Sequence, residues 1–294
     1  NGSVKLPMPR RRLHESWDDQ PIIEPDEEGI YNNDFFGGDF AGIKEKVEYI
    51  ASLGVDMIYL NPIVTSQSNH RYDTADYFHP DSYLGNEKEL VQMIQEFHRL
   101  GIKVIFDGVF NHTGNDSVYF NQYGTYDSVG AYQSEKSPYN SFYLRGKNKE
   151  YHYWWGFHNL PVCDKNAPAF RKMIFGIGGV IDKWCEMGID GVRLDVVDEL
   201  PDDFTMGIWE AMQRNKPDDF LIIGEVWENP MRKGKAYISS GREIHSVMNY
   251  FLMDALLRYY MYGDIYKLDV ILREILTEYP TETIQTLMNS TSTH

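Results

Sequence analysis

Two carboxylates and one arginine stand out at the ends of two apolar segments. The segment "GVRLDVVDE" (191–199) carries Arg193 and Asp195, and "LIIGEVWE" (221–228) carries Glu225. Side chains alternate faces along a strand, so Arg193 and Asp195 point to the same side. An isolated R-x-D pair is typical of a surface ion pair. With Glu225 on a neighbouring strand, ~4.8 Å away, it becomes a pair of facing carboxylates beside a cation.

Facing carboxylates suit retaining glycoside hydrolysis. In that reaction one carboxylate attacks the anomeric carbon and another, ~5 Å away, protonates the leaving oxygen. Arg193 would favour the charged, nucleophilic form of Asp195. Val226 and Trp227 would favour the protonated form of Glu225, which would then act as the acid.

A third apolar segment, "VIFDGVFNH" (104–112), also ends in polar residues, namely Asp107, Asn111 and His112. Polar groups at the carboxyl ends of several strands are typical of a (β/α)8 barrel. A doubly wound sheet would instead place a Gly-rich turn after its first strand. "GIGG" at 176–179 interrupts a helical pattern, so it does not support a phosphate-binding turn or a nicotinamide-dependent oxidoreductase.

The elements that would position these residues alternate between helix and strand. The predicted strands are 55–63, 102–112, 189–197, 219–227, 246–251 and 283–289, and the predicted helices are 38–54, 86–101, 167–188, 202–215 and 253–263. Such alternation predicts parallel strands joined by helical crossovers. The fold class is therefore α/β, with an irregular lead-in at 1–34, barrel segments at 35–112 and 166–294, and an inserted loop subdomain at 113–165.

The composition of the 294-residue chain limits its partners. A formal net charge of −16 argues against nucleic acid, and no apolar run approaches the ~20 residues of a membrane span. Two cysteines without metal-ligand spacing, together with the lack of a visible signal segment, favour the cytoplasm over secretion. The aromatic segment "YHYWWGF" (151–157) either lines a groove for sugars or forms the core of the insertion.

A family resemblance rests on four motifs in order along the chain. "DGVFNH", "GVRLDVVDE", "GEVW" and "MNSTSTH" resemble the signature regions of the α-amylase superfamily of glycoside hydrolases. The flanking "FFGGDFAGIKEKVEYIASLGVDMIYLNPI" and "SNHRYDTADYFHPDSYLG" resemble its cyclomaltodextrinase, neopullulanase and maltogenic amylase branch. The resemblance covers nearly all of the chain after residue 34. It implies a TIM barrel and a retaining hydrolase or transglycosylase acting on α-glucosidic bonds of maltodextrin, cyclodextrin, starch or pullulan.

The resemblance also implies roles for individual residues. Asp195 would be the nucleophile, Glu225 the general acid/base and Arg193 the group that orients Asp195. The substrate-binding residues would be Tyr72, Asp73, His112, Trp227 and His294, and the structural residues at the site would be Asp107 and Asn111.

The resemblance requires no organic cofactor, but it raises the question of calcium. Asp198 and Glu199 replace the Lys-His found in many α-amylases, which argues against one calcium site. Gly37 and Asp39 belong to a Gly-Gly-Asp that could form part of another. Relative to the family, the first and eighth barrel strands are expected to be missing, so this chain alone is expected to be inactive.

Two further expectations concern oligomeric state and the alternative to an enzyme. A homodimer is compatible with the sequence. The alternative to an enzyme is a non-catalytic amylase-like domain that binds carbohydrate or another protein. Retention of Asp195, Glu225 and Arg193 favours the enzyme.

Overall fold

The computed structural model describes residues 11–25, 31–217, 219–231, 238 and 243–292 of the chain. Within these ranges the strands are β1 (Arg12–Leu13), β2 (Asp34–Phe35), β3 (Met57–Leu60), β4 (Val64–Ser66), β5 (Thr74–Pro80), β6 (Lys103–Gly108), β7 (Gly191–Leu194), β8 (Leu221–Val226) and β9 (Ser246–Asn249). The α-helices are α1 (Phe40–Glu45), α2 (Val47–Ser52), α3 (Glu87–Arg99), α4 (Pro168–Phe175), α5 (Val180–Met187), α6 (Asp202–Asn215), α7 (Tyr250–Tyr262), α8 (Ile265–Glu278) and α9 (Thr281–Thr286).

The main sheet has five parallel strands in the order β3-β6-β7-β8-β9. The strand order follows the chain without reversal, whereas a doubly wound sheet reverses its order at a switch point. A parallel bridge from Met288 to Met248 continues the sheet beyond β9 in the same direction. The sheet therefore winds one way only, as a barrel does, and the observed part is an open portion of one.

The two faces of this sheet bury different side chains. On the outer face Val104, Val192 and Ile222 join the large core beneath the helices. On the inner face Ile105 and Ile223 pack in a smaller apolar cluster. Arg193 lies on that inner face too, so the alternation along β7 holds, and the inner face changes from apolar to charged toward the carboxyl ends of the strands.

The helices cover the outer face, and α3 shows why its sequence is helical. Asn86 accepts a hydrogen bond from the Glu89 amide, and the Glu89 side chain accepts one from the Asn86 amide. This capping box satisfies two amides that the first turn would leave without partners. Leu90, Met93, Ile94 and Phe97 are buried on the face toward the sheet.

Five of the six predicted strands each contain one strand of the main sheet, but the prediction at 283–289 is wrong for most of its length. Residues Thr281–Thr286 form α9, and only Met288 pairs with β9. The threonines suggested a strand, yet the Thr283 hydroxyl donates to the His245 carbonyl and the Thr286 hydroxyl donates back into the helix. The predicted helix at 167–188 is two helices, α4 and α5, broken at the glycines between them.

Two parts of the described chain lie outside the main sheet. Strands β4 and β5 form an antiparallel hairpin, and the loop between them brings the Tyr72 hydroxyl to Asp107 of the main sheet. Residues 113–165 contain short 3-10 turns, isolated bridges and aromatic contacts, such as Phe120 against Tyr143 and Tyr151 at 4.9 and 4.7 Å between ring centroids. None of the helices within the described ranges combines the length and apolar character that crossing a membrane requires.

Candidate active site

One buried arginine lies at the centre of the candidate site. Arg193 is 1% exposed, and its Nη1 donates to Asp195 Oδ1 at 2.9 Å and to Asp107 Oδ1 at 3.0 Å. Its Nη2 lies 3.0 Å from Glu225 Oε2 in an ion pair without hydrogen-bond alignment. The carboxyl ends of β6, β7 and β8 thus bring three carboxylates to one guanidinium. Asp195 and Glu225 are among them, as the sequence pattern predicts.

Asp107 holds this arginine in place. It is the register partner of Arg193 on the adjacent strand, and it also accepts hydrogen bonds from two tyrosine hydroxyls. Tyr72 donates to Asp107 Oδ2 at 2.9 Å, and Tyr59 donates to the same oxygen. The Arg193 guanidinium lies 5.8 Å from the centroid of the Tyr72 ring and 5.9 Å from that of the Tyr59 ring. The aspartate, the two hydroxyls and the two ring faces together fix the orientation of the guanidinium.

Sequence reasoning missed Tyr59. It lies inside the apolar strand β3, "MIYL", where a tyrosine is indistinguishable from a core aromatic. A signal was nevertheless present. Met57 and Tyr59 share the inner face by alternation, so the hydroxyl had to reach toward the polar end of the barrel interior.

Burial has the largest effect on the pKa values of Asp195 and Asp107 at the centre of the site. It raises the pKa of Asp195 well above its usual range, with Arg193 opposing the rise and the charges of Asp107 and Glu225 adding to it. Burial likewise raises the pKa of Asp107, against the opposing effects of Arg193 and the tyrosine hydroxyls. Arg193 therefore acts on Asp195 in the expected direction, toward the ionised form that a nucleophile needs, while burial and the two neighbouring carboxylates oppose it.

The residue after Asp195 has a strained backbone. Val196 has φ 40° and ψ 53°, a left-handed conformation that is a genuine outlier for a β-branched side chain. Such a conformation costs about 1–3 kcal/mol and persists only where surrounding contacts impose it. Here it directs the Val196 amide to Glu225 Oε2, at 3.0 Å. The strained residue that follows Asp195 thus makes a direct hydrogen bond to Glu225.

A profile of the α-amylase catalytic domain matches residues 14–293. The chain belongs to the α-amylase catalytic-domain family. It is 35% identical to an amylopullulanase of Thermoanaerobacterium saccharolyticum over 96% of this chain, and 32% identical to a cyclomaltodextrinase of Geobacillus thermopakistaniensis over 88%. It spans only 25% and 43% of the lengths of those two relatives.

A solved structure agrees with this family assignment. The ligand-free cyclic α-maltosyl-(1→6)-maltose hydrolase of Arthrobacter globiformis superposes with a TM-score of 0.77 at 26% identity, covering 96% of this chain and 63% of that one. The α-amylase family and this neighbour support a TIM-barrel architecture for the open sheet described above.

In this α-amylase-family chain His112 is neutral and fixed. Burial lowers the pKa of His112 to about 3, and the ring is 1% exposed. Its Nε2 lies 3.1 Å from the Tyr72 carbonyl oxygen, which can only accept, so Nε2 carries the hydrogen. Nδ1 then accepts from the Asn111 amide at 3.4 Å, and the Asn111 oxygen accepts from buried Lys165 at 2.6 Å. These contacts hold the loop of Tyr72 against the end of β6.

The remaining predicted binding residues are dispersed. Asp73 does not face the centre, because its carboxylate accepts from the Ser68 hydroxyl and from the amides of Gln67 and Ser68 within its own loop. Trp227 is 60% exposed and stacks on Tyr250 at 4.2 Å between ring centroids. His294 lies outside the described residues.

Asp39, one of the two residues proposed for calcium binding, has a structural contact. Asp39 is the N-cap of α1, and its Oδ1 accepts from the Gly42 amide at 2.7 Å. Within the ranges that the structure describes, no group of three or more His, Cys, Asp or Glu side chains could hold a metal ion. Calcium binding at Gly37 and Asp39 stays a prediction, and no chemical step below involves a metal.

Proposed function

We propose that this chain carries the catalytic centre of a retaining glycoside hydrolase or transglycosylase for α-glucosidic bonds. One observation carries the proposal, namely that Asp195 and Glu225 both contact the buried guanidinium of Arg193, at 2.9 and 3.0 Å. Two carboxylates held by one planar group are compatible with the ~5 Å separation of retaining enzymes.

In the first step the Asp195 carboxylate attacks the anomeric carbon while Glu225 protonates the departing glycosidic oxygen. A covalent bond forms between the sugar and Asp195, and the glycosidic bond breaks. In the second step Glu225 removes a proton from water or a sugar hydroxyl, which displaces Asp195. Water gives hydrolysis and a sugar hydroxyl gives transglycosylation.

The contacts of Glu225 indicate which oxygen holds the catalytic proton. Oε2 accepts from the Val196 amide and lies in an ion pair with Arg193, so a hydrogen-bond donor and a cation already meet it. The proton is therefore more stable on Oε1, and Oε1 would face the glycosidic oxygen. Val196 and Arg193 in this way orient the acid as well as the nucleophile.

The other family-matched residues would bind sugar around this centre. Direct binding of the reacting sugar by His112 keeps only its sequence-based support, because both ring nitrogens already have protein partners. Tyr72 would present its ring to the same sugar, and Trp227 would contact the unit beyond the cleaved bond. Asp107 would hold Arg193, Asn111 would hold the loop that follows β6, and His294 keeps only its sequence-based role. Asp73 would act indirectly, by shaping the loop of Tyr72.

The substrate class follows from relatives named for related glucans, namely amylopullulanase, cyclomaltodextrinase and cyclic α-maltosyl-(1→6)-maltose hydrolase. We infer that maltodextrin, cyclodextrin, starch or pullulan is the substrate here. A calcium requirement at Gly37 and Asp39 stays a separate hypothesis, which a loss of activity in chelator and its recovery on calcium addition would support. The residues 113–165 would form the inserted subdomain of an incomplete barrel.

The test uses the full-length protein that contains this chain, incubated with maltohexaose, γ-cyclodextrin and pullulan. Proton NMR of the first product should show the α-anomer, since two inversions restore the starting configuration. A β-anomer appearing first would reject Asp195 as nucleophile. Binding of maltohexaose without any cleavage, measured by calorimetry, would favour a non-catalytic carbohydrate-binding domain instead.

A further inference from the structure

The aromatic segment 151–157 divides into packed and exposed side chains. Tyr151 packs against Phe120, and Trp154 stacks on His112 at 5.0 Å between ring centroids with 22° between the planes. Trp155 is 80% exposed, and Phe157 is 54% exposed. A large indole left in water contributes little to packing, so core formation does not explain Trp155.

Trp155 is also held in an unfavourable backbone conformation. Its φ of 49° and ψ of 23° are left-handed, which is rare for a bulky side chain. The turn around it is closed by hydrogen bonds from the Trp154 amide to the Leu160 carbonyl and from the Phe157 amide to the Trp154 carbonyl, both at 2.9 Å. Strained residues that the surrounding structure imposes cluster at ligand-binding sites.

The neighbouring residue, Trp154, connects this turn to the candidate active site. The Trp154 indole nitrogen donates to Glu199 Oε1 at 2.9 Å, and Glu199 lies in the turn that follows β7 and Asp195. The ring of Trp155 lies 5.5 Å from that of Trp154. Through Trp154, the Trp155 ring is therefore within about 10.5 Å of the His112 ring, which is the reach of a short oligosaccharide.

We propose that Trp155 is a stacking platform for an α-glucan, contacting a sugar unit outside the pair joined by the cleaved bond. This inference rests on the proposed function and deepens it. The apolar face of a pyranose packs on a flat aromatic ring, and a backbone held in place before binding reduces the conformational entropy lost when the sugar arrives. The platform makes the enzyme prefer longer chains over disaccharides.

The test compares chain-length preference in the full-length protein. Trp155→Gly removes the ring and the strain together, while Trp155→Phe keeps a ring. Lys149→Gly is the matched control, because Lys149 has φ 67° in the same region but carries no aromatic group. The measured quantity is the ratio of kcat/KM for maltohexaose to kcat/KM for maltose, with Tm recorded for each variant.

The ratio should fall about tenfold in Trp155→Gly, as expected for losing one aromatic anchor. It should be largely retained in Trp155→Phe and in Lys149→Gly, and Tm should not fall in Trp155→Gly. An unchanged ratio in Trp155→Gly, or equal losses on both substrates with a lower Tm, would overturn the platform. If the wild-type protein cleaves neither sugar, the proposed function fails first, and calorimetry with maltohexaose on wild type and Trp155→Gly then decides whether the platform binds glucan.

Discussion

Strand β7 carries an aspartate immediately before it and another immediately after it, and the two have opposite surroundings. Asp190 meets Lys216 at 2.8 Å, His98 at 2.7 Å and the Val104 amide at 2.8 Å. Asp195 shares the single cation Arg193 with two other carboxylates. Burial opposes ionisation at both ends, yet the donors around Asp190 lower its pKa, whereas the pKa of Asp195 is raised.

Within this four-residue strand, the surroundings of the amino end favour stability and those of the carboxyl end favour chemistry. At the amino end the donors outnumber the carboxylates, so the ionised form of Asp190 is stabilised in the folded state. At the carboxyl end carboxylates outnumber the cation, so folding confines charges that repel. A strained Val196 lies only on that side. In barrel enzymes the carboxyl face supplies catalysis and the amino face supplies stability, which matches this asymmetry.

Replacing the two aspartates in turn gives the largest expected contrast. In the protein that contains this chain, Asp195→Asn should lower kcat/KM on maltohexaose by about 10⁴-fold or more, because the proposed nucleophile is lost. Its Tm should stay the same or rise, since one confined carboxylate is gone. Asp190→Asn should keep its activity per folded molecule. Near-normal turnover in Asp195→Asn, with mass spectrometry excluding reversion to aspartate, would end the proposed role of Asp195.

Removing the shared cation should produce the next largest effect, this time on stability. Arg193→Met leaves Asp107, Asp195 and Glu225 without their counter-charge, and breaking a buried ion pair costs about 3–5 kcal/mol. Urea titration at neutral pH should show a fall of that size in the free energy of unfolding, partly recovered by adding Asp107→Asn. A loss below about 1 kcal/mol would mean that the carboxylates do not depend on Arg193.

The two ends of β7 show most clearly which features can be predicted from the sequence alone. Apolar runs predicted the strands, and polar residues after three runs predicted that Arg193, Asp195 and Glu225 would meet. That step needed only side-chain alternation and the parallel order of the strands. The family motifs supplied the likeness to α-amylases, which the profile match to residues 14–293 confirms.

The parts that sequence reasoning missed depend on distant contacts. Asp190 reads as an ordinary polar residue before a strand, and His98 lies 92 positions away from it. Tyr59 reaches Asp107 across 48 positions. Two other errors have a local cause. The β-branched residues at 281–289 resemble a strand, although Thr281–Thr286 is helical, and the helix at Ile265–Glu278 was not predicted.

A smaller effect on stability should distinguish the amino end of β7. Asp190→Asn leaves the Lys216 ammonium and the His98 ring without a charged partner and weakens the bond to the Val104 amide. Loss of a buried hydrogen-bonding partner costs about 1–3 kcal/mol. The free energy of unfolding should fall by this amount in urea titration at neutral pH. Asp219→Asn is the control, because Asp219 pairs with Lys103 at the exposed surface and should cost little.

The dependence of these stabilities on pH should run in opposite directions at the two ends. The pKa of Asp190 is lowered on folding, so its contribution is complete above the ordinary aspartate pKa of about 3.9 and is lost as pH falls through the lower folded value. The pKa of Asp195 is raised, so the folded state holds its proton longer than the unfolded chain does. Its protonated form is most favourable below about 3.9, and stability is lost as pH rises from there toward the raised folded value. Urea titrations from pH 3 to pH 7 should therefore show the deficit of Asp190→Asn growing with pH while Asp195→Asn gains on the wild type. Parallel curves for the two variants would mean that the two aspartates do not differ in this way, and the contrast between the ends of β7 would fail.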